Sequence, residues 1–483
     1  MVGNLSRINL FKNSLILLFG SGASGILQII SISLFIKLFG LEGYGLFVIL
    51  RLFMPSGLLL FFDLGLSESL TRFISFNYKN PLIQKQYVSL TLYAYFFISI
   101  ILTTFIFFNI SFFSSFFNLA GNDFVYIFSN CLTLVSISIP FFFLGIISES
   151  ILRGNENFKI IKITEFLQNL IFLFILIISF SVDLSLEKMI IYFIYLVLFR
   201  FLALFLICYI NFNKIFKINI PSKEIFLELY SFTKIVMIGK SVSMLINNII
   251  LVFAGSLEVS FAGIYDAIMR IPRFLKSLIS QFNSSFLPHT AKMLSDNSLK
   301  KVSENLNLII SIQFFFWTPL ITCTAWNGEK ILSFWLGAEF SEYALFFSLA
   351  FLTTVFYSSS SAIASSSYSR ENLISKLNYF ALAELILIFI MVFLFSSFGI
   401  KALLSSFLVS TIFKHFYLFY FFKKDLLYSF SSLRSFLSCF FISIVLLIIE
   451  SLTLNLIDKS IFFVVIFSLM ISLLSWVIFY KYF

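Results

Sequence analysis

The stretch FAGIYDAIMRIPRF, residues 261–274, lies in a long apolar region and yet carries Asp266, Arg270 and Arg273. On a helix these three share one face, because positions three, four and seven apart stack above one another. The meaning of that face depends on the surrounding medium. Of the 483 residues 60% are hydrophobic and 12% are charged, and the mean hydropathy is +1.02. A soluble domain carries about twice that share of charge. Apolar runs near 20 residues recur along the whole chain, each long enough to cross a hydrocarbon core of about 30 Å. The segments of about ten alternating residues that a membrane barrel would need are missing. The chain reads as an all-α polytopic membrane protein, and the charged face of 261–274 lies inside the bilayer.

Apolar runs set against polar breaks predict about fourteen spans. Their limits are 13–38, 44–62, 86–109, 124–149, 160–181, 188–210, 232–255, 260–282, 305–325, 343–366, 377–397, 400–421, 433–454 and 460–480. The N-terminal segment MVGNLSRINLFKNSLILLFGSGASG is basic and then apolar, and the apolar part runs on to Leu38 without a small-residue cleavage site. It reads as the first span, retained. With the N-terminus inside, the even-numbered loops collect roughly 25 basic residues against about five outside and about three within spans, a strong positive-inside bias. Arg72, Lys85, Arg153, Lys159, Lys214, Lys217, Lys292, Lys300, Lys423 and Lys424 are among those inside. Both termini are then cytoplasmic. The net charge of +10 therefore records topology, not nucleic-acid binding. Cys131, Cys208, Cys323 and Cys439 fall inside predicted spans with no metal or redox spacing, as small apolar core residues do.

The chain also repeats itself. GSGASGILQII (20–30) resembles GKSVSMLINNII (239–250), and Glu42 before the second span corresponds to Glu258 before the eighth. ILRGNENF (151–158) and SYSRENL (367–373) both close a span with an Arg and an Asn. An offset near 217 positions across six spans makes both copies face the same way, related by a pseudo-two-fold along the membrane normal. The expected organisation is a six-helix lobe over 1–212, a cytoplasmic linker over 213–231, a second six-helix lobe over 232–424, and two additional helices within 425–483.

A charge at bilayer depth costs several kcal/mol, so it faces a cavity or a partner. Arg270 sits roughly 15 Å below the outer end of its span, with Asp266 one turn shallower. Either Asp266 neutralises Arg270 or the face lines a cavity, and both can hold. Lys240 lies about 13 Å from the inner end of the seventh span, followed at helical spacing by Ser243 and Asn247. Arg51 lies about 10 Å into the second span, four residues before Pro55, where a kink is expected. Arg200 in the sixth span either joins the cavity or snorkels. Asp266, Glu384 and Glu165 are the deep acids, candidates for charge balance or coupling. Glu165, beside Gln168 and Asn169, is equally an interfacial packing residue. Gln28 belongs to a polar stripe with Gly20 and Ser24. The hydroxyl-rich run YSSSSAIASSSYS (357–369) is either close helix packing or a surface that touches sugar. Pro140 and Pro319 mark further candidate bends. Arg51, Lys240, Arg270 and Arg200 together suit a phosphate, through charge-assisted and bidentate hydrogen bonds. The sequence carries no nucleotide-binding P-loop, metal cluster or nucleophile–base pair. No cofactor and no enzymatic activity is expected.

Several stretches in order resemble the Wzx-type polysaccharide or O-antigen flippases of the MATE-like multidrug/oligosaccharidyl-lipid/polysaccharide superfamily. They are FGLEGYGLFVIL (39–50), FDLGLSESLTRF (62–73), ILRGNENF (151–158), FLPHTAKM (286–293) and ILSFWLGAEF (331–340). The resemblance implies two six-helix lobes plus two helices, and carriage of an undecaprenyl-diphosphate-linked oligosaccharide from the cytoplasmic to the external leaflet of a bacterial inner membrane. It implies a cationic cavity at the positions of Arg51, Lys240 and Arg270, and functional association with a polysaccharide polymerase and a chain-length regulator. It brings no nucleic acid, and a monomer is the expected state. Two other classes compete. A small-molecule exporter of the same superfamily would favour acidic cavity residues for cationic cargo. A polymerase would need a large external loop, and none is visible.

Overall fold

The computed structural model describes residues 2–284 apart from 79, 120, 214, 217, 218 and 220, then 299–367 and 371–426. The described residues are mostly helical, with no strand among them. Among them eight helices are long and apolar enough to cross a membrane. The chain is an all-α polytopic membrane protein. The predicted spans 13 and 14, Cys439 and the FLPHTAKM stretch lie outside the described residues.

The contacts divide the chain into two compact units, Met1–Asp266 and Ala267–Phe483. The division falls inside the helix Val259–Ser284. The first unit begins with α1 (Val2–Leu52), which holds two predicted spans in one run. They are separated only by Gly40 at φ 71°, ψ 179°. That region of backbone space is open essentially to glycine alone, so a single residue turns the chain.

The second span departs from expectation. The sequence limits of 44–62 describe one kinked helix. The observed helix stops at Leu52, and a 3-10 turn over Leu58–Asp63 (η1) follows. Leu64 and Gly65 then adopt the left-handed conformation, and α2 (Leu66–Phe76) completes the crossing. Pro55 does more than bend the helix, because Gly57 follows within two residues and the ladder cannot resume between them. Tight turns satisfy part of the freed backbone: Met54 N donates to Arg51 O at 3.1 Å and Gly57 N to Met54 O at 2.9 Å. Broken backbone at membrane depth survives only where it is buried in protein or lines a watered space.

The rest of the first unit follows the predicted order: α3 (Pro81–Phe108), the short α4 (Ile110–Phe116), α5 (Asn122–Gly154), α6 (Phe158–Val182), α7 (Leu186–Phe212), α8 (Lys223–Leu257) and the start of α9 (Val259–Ser284). Starts are set by side chains that satisfy the open N–H groups of a first turn. Asn80 caps α3 ahead of Pro81, Ser185 caps α7, and Ser222 caps α8 by accepting from Ile225 N at 3.4 Å. Small residues let the helices close on one another. A Cβ at Gly145 of α5 would sit 2.1 Å from the Phe201 ring of α7, and one at Gly154 would sit 2.7 Å from Ile74 of α2. Phe35, Phe47, Phe172 and Phe193 join α1, α6 and α7 in an aromatic core. Cys131 and Cys208 are buried and free, in keeping with apolar packing.

The second unit holds the remainder of α9, then α10 (Leu299–Trp326), α11 (Gly328–Trp335), a 3-10 turn over Ala338–Tyr343, α12 (Ala344–Ser367), α13 (Glu371–Phe395) and α14 (Ile400–Leu426). Helix α12 packs on α10 and α14, and α13 on α14.

The order of elements repeats. One non-helical residue joins the first and second spans at Gly40, and one joins the seventh and eighth at Glu258. The third and ninth spans end at Phe108 and Trp326, and each is followed by a short helix, α4 or α11. The offset is about 218 positions, the spacing of the sequence repeat.

Candidate functional site

The break in the second span decides where the charges of the first unit go. Asp63 closes η1 and is fully buried. Its Oδ1 accepts from Ser67 N at 3.1 Å, which caps the open end of α2, and from the Tyr95 hydroxyl of α3. Its Oδ2 takes the ammonium of Lys240 from α8. Glu68, one turn into α2, takes the same ammonium at 2.5 Å, and Ser67 Oγ lies 2.7 Å from it. An ammonium has three donors, and here all three are engaged. Lys240 is central in α8, so this junction of η1, α2, α3 and α8 lies near the middle of that helix. One lysine against two carboxylates leaves the cluster at a formal charge of −1.

A second polar contact lies between the Gly40 end of the second span and α9. Tyr44 OH donates to Asp266 Oδ2 at 2.6 Å, and Arg51 Nη1 stands 3.6 Å from the same oxygen. This contact depends on very close backbone approach. A Cβ at Gly45 would fall 2.0 Å from Val259 O, and one at Gly263 would fall 2.9 Å from Leu41 O. Arg51 also lies over the Phe47 ring, 5.7 Å from its centroid.

A third cluster joins α5, α6 and α7. Glu149 pairs with Arg153 one turn on and lies 3.8 Å from Arg200. Lys162 pairs with Glu165 at 2.8 Å.

In the second unit, Glu384 of α13 is buried and pairs with Lys414 of α14 at 2.6 Å. The adjacent His415 is hydrogen-bonded through Nδ1 to Ser360 Oγ of α12 at 2.7 Å. Lys276 points between the rings of Tyr357 and Phe407, at 5.8 and 5.6 Å from their centroids. Arg270 is half-buried on α9.

The sequence candidates thus do not form one group of open cations. Arg51 meets Asp266, Lys240 meets Asp63 and Glu68, and Arg200 meets Glu149. Asp266, one of the expected charge-balancing acids, balances Arg51, a partner the helical spacing around 266–273 did not suggest. Glu384 and Glu165 balance lysines, Lys414 and Lys162. Ser243 and Asn247 are exposed on α8 beyond Lys240, and Gln28 is half-exposed on α1. The sequence reading missed Asp63, Ser67, Glu68 and Tyr95, because it ended the second span at 62 and treated FDLGLSESLTRF as its exit. Two acids in an apolar run, just after a Pro and a Gly, were the available signal. Among the described residues no group of three or more His, Cys, Asp or Glu could hold a metal.

Comparison with known proteins adds the following. The profile of the polysaccharide biosynthesis protein family matches residues 10–294. Comparison with curated proteins returned no match. Among solved structures, the lipid II flippase MurJ in an inward closed conformation superposes with a TM-score of 0.76 at 18% identity, covering 96% of this chain and 97% of that one. An inward-facing multidrug resistance MATE family transporter of the MOP superfamily gives 0.61 at 13% identity, covering 87% and 98%. A MOP superfamily transporter from Pyrococcus furiosus, described by the reverse polarity of its binding pocket, gives 0.60 at 14% identity, covering 86% and 95%. These likenesses establish a shared fold over nearly the whole chain. With the family profile spanning more than half of its length, the chain belongs to the polysaccharide biosynthesis protein family.

Proposed function

We propose that the protein is a flippase. It carries an undecaprenyl-diphosphate-linked oligosaccharide from the cytoplasmic to the external leaflet of a bacterial inner membrane, for O-antigen or another surface polysaccharide. The observation that carries this reading is the broken second span, which sets irregular backbone and a Lys–Asp–Glu cluster, its Asp63 fully buried, against the middle of α8 in a chain of this family. Discontinuous helices of this kind build the central sites of transporters. The lobes run over 1–212 and 232–424, joined by 213–231, with both termini cytoplasmic and 425–483 as additional helices. Transport runs by alternating access. The sugars pass through a hydrated space lined by Gln28, Ser243 and Asn247, and the polyprenyl tail stays in lipid. Arg270, Arg51 and Lys240 attract the diphosphate, with Arg200 supporting the field from α7. A polymerase and a chain-length regulator receive and pace the product.

The test is transport by the purified protein in liposomes that contain a labelled undecaprenyl-diphosphate oligosaccharide, with leaflet accessibility followed over time. Accelerated flipping that Arg270→Ala removes supports both the function and the docking role. Flipping that survives the substitution limits Arg270 to structure. No flipping under any ion gradient sinks the reading.

A second reading has one observation in its favour. The central cluster carries two acids to one base, and that sign suits cationic cargo. An exporter of small cations would accumulate such a compound in the same liposomes while leaving the lipid-linked oligosaccharide where it is.

A further inference from the structure

Lys240 faces two demands. The flippase reading gives it to the substrate's diphosphate, yet every one of its ammonium donors is already held inside the protein. Besides Ser67 Oγ, the two charged groups that hold it are a pair of anionic oxygens, Asp63 Oδ2 and Glu68 Oε2. Two adjacent carboxylates that share one ammonium present the chemistry of a diphosphate. We infer that Asp63 and Glu68 are a built-in substitute for the substrate's diphosphate, which occupies Lys240 while the transporter is empty and must be displaced for the substrate to dock. This inference rests on the flippase reading and names how its basic site is regulated.

The two carboxylates are built differently, and the difference suits exchange. Asp63 is fully buried and anchored by the Tyr95 hydroxyl and Ser67 N–H, so it stays in place when Lys240 leaves. The Glu68 side chain is 45% exposed, so water can take over its charge at little cost. Glu68 is therefore the half of the pair that a phosphate displaces first, with Asp63 left hydrogen-bonded.

The same contact is mechanical. Lys240 belongs to the seventh span, whereas Asp63 and Glu68 belong to the second. Three further contacts run along the same seam toward the inner end of α8. Thr233 Oγ1 donates to Ser69 Oγ at 2.9 Å, the Arg72 guanidinium lies 4.0 Å from the centroid of the Phe232 ring, and Tyr87 OH donates to Glu228 at 2.5 Å. Holding Lys240 thus fastens α8 to α2 and α3. Displacement by a phosphate loosens the strongest contact of that seam, so docking and release of the inner half of α8 become one event. An empty transporter stays shut, and a loaded one is freed to move.

The experiment is calorimetric titration of the full chain, in nanodiscs of neutral lipid, with inorganic pyrophosphate free of metal. A competitor held inside the protein lowers apparent affinity by the fraction of time it occupies the site. Glu68→Gln is expected to tighten pyrophosphate binding about tenfold, and Asp63→Asn to act in the same direction where that variant folds. The gain must depend on the lysine: Glu68→Gln combined with Lys240→Gln should bind no better than Lys240→Gln alone. Binding by Glu68→Gln that is equal to or weaker than that of the unaltered protein overturns the inference. So does a gain that persists without Lys240, or absence of binding by every form. The oligosaccharide-flipping assay fails independently. If pyrophosphate follows the expected pattern while no oligosaccharide is flipped, the competition stands and the substrate assignment falls.

Discussion

Gly45→Ala tests the Tyr44–Asp266–Arg51 contact of the first unit most sharply. The added Cβ would fall 2.0 Å from Val259 O, a backbone atom on the first turn of α9. Real Cβ contacts under 3.0 Å essentially do not occur, so the two helices must part by about 1 Å. The Tyr44–Asp266 hydrogen bond would stretch from 2.6 Å beyond hydrogen-bonding range, and the Arg51–Asp266 pair from 3.6 Å to a separation too large for an ion pair. Overpacking costs about 1–3 kcal/mol, and loss of a hydrogen bond to a buried carboxylate costs about 1.5–3 kcal/mol more. The sum, about 2.5–6 kcal/mol, corresponds at about 2 °C per kcal/mol to a fall of roughly 5–12 °C in the melting temperature of a unit of this size. The assay is thermal unfolding in a mild detergent, beside Gly22→Ala, where an added Cβ meets nothing within 4 Å. Gly22→Ala should leave the melting temperature unchanged or raise it slightly, since alanine is the better helix former. Equal melting temperatures for Gly45→Ala and the unaltered protein would refute the close-approach argument.

Other substitutions separate buried from exposed interactions. Tyr95→Phe removes one donor from Asp63 and should lower stability by about 1.5–3 kcal/mol in the same assay, with Ser67 N–H still in place. Gly145→Val should be worse than Gly45→Ala for folding yield, because even one added carbon meets the Phe201 ring at 2.1 Å; wild-type yield would contradict the α5–α7 packing. Lys401→Ala breaks a pair with Glu342 in which both side chains are 53% exposed, and should change stability by less than about 1 kcal/mol. A larger loss would mean that this pair is not a solvated surface contact.

The sequence disclosed the helices because each must be long and apolar to cross a bilayer, and length and hydropathy are local properties. The limits of α3, α5, α6 and α7 agree with the apolar runs to within a few residues. The second span was misread for a physical reason. Pro55 alone bends a helix, but Pro55 with Gly57 ends one, and the chain then needs eleven more helical residues, Leu66–Phe76, to finish the crossing. Hydropathy falls across DLGLSES, so a window that seeks apolar length stops there. The charged candidates were legible as deep charges and illegible as pairs. Lys240 and Asp63 are 177 positions apart, and no periodicity links them. Tyr44 and Arg51 reach Asp266 from another part of the chain, which spacing along one helix does not reveal. The repeat was visible twice, as weak sequence likeness and again as matching helix order, because both copies answer to the same membrane thickness.

Gly40 has a consequence for motion. A loop of several residues would let two neighbouring helices slide along one another or drift apart. A single residue between them supplies no slack, so the first and second spans are a pair of struts pinned at Gly40. Their free movement is a swing about that pin, small near it and greatest at the far ends. A swing of 10° carries a point about 30 Å from the pin, the thickness of a hydrocarbon core, by about 5 Å. The far end of the second span lies beside α8, so that movement arrives at the seam between α2 and α8.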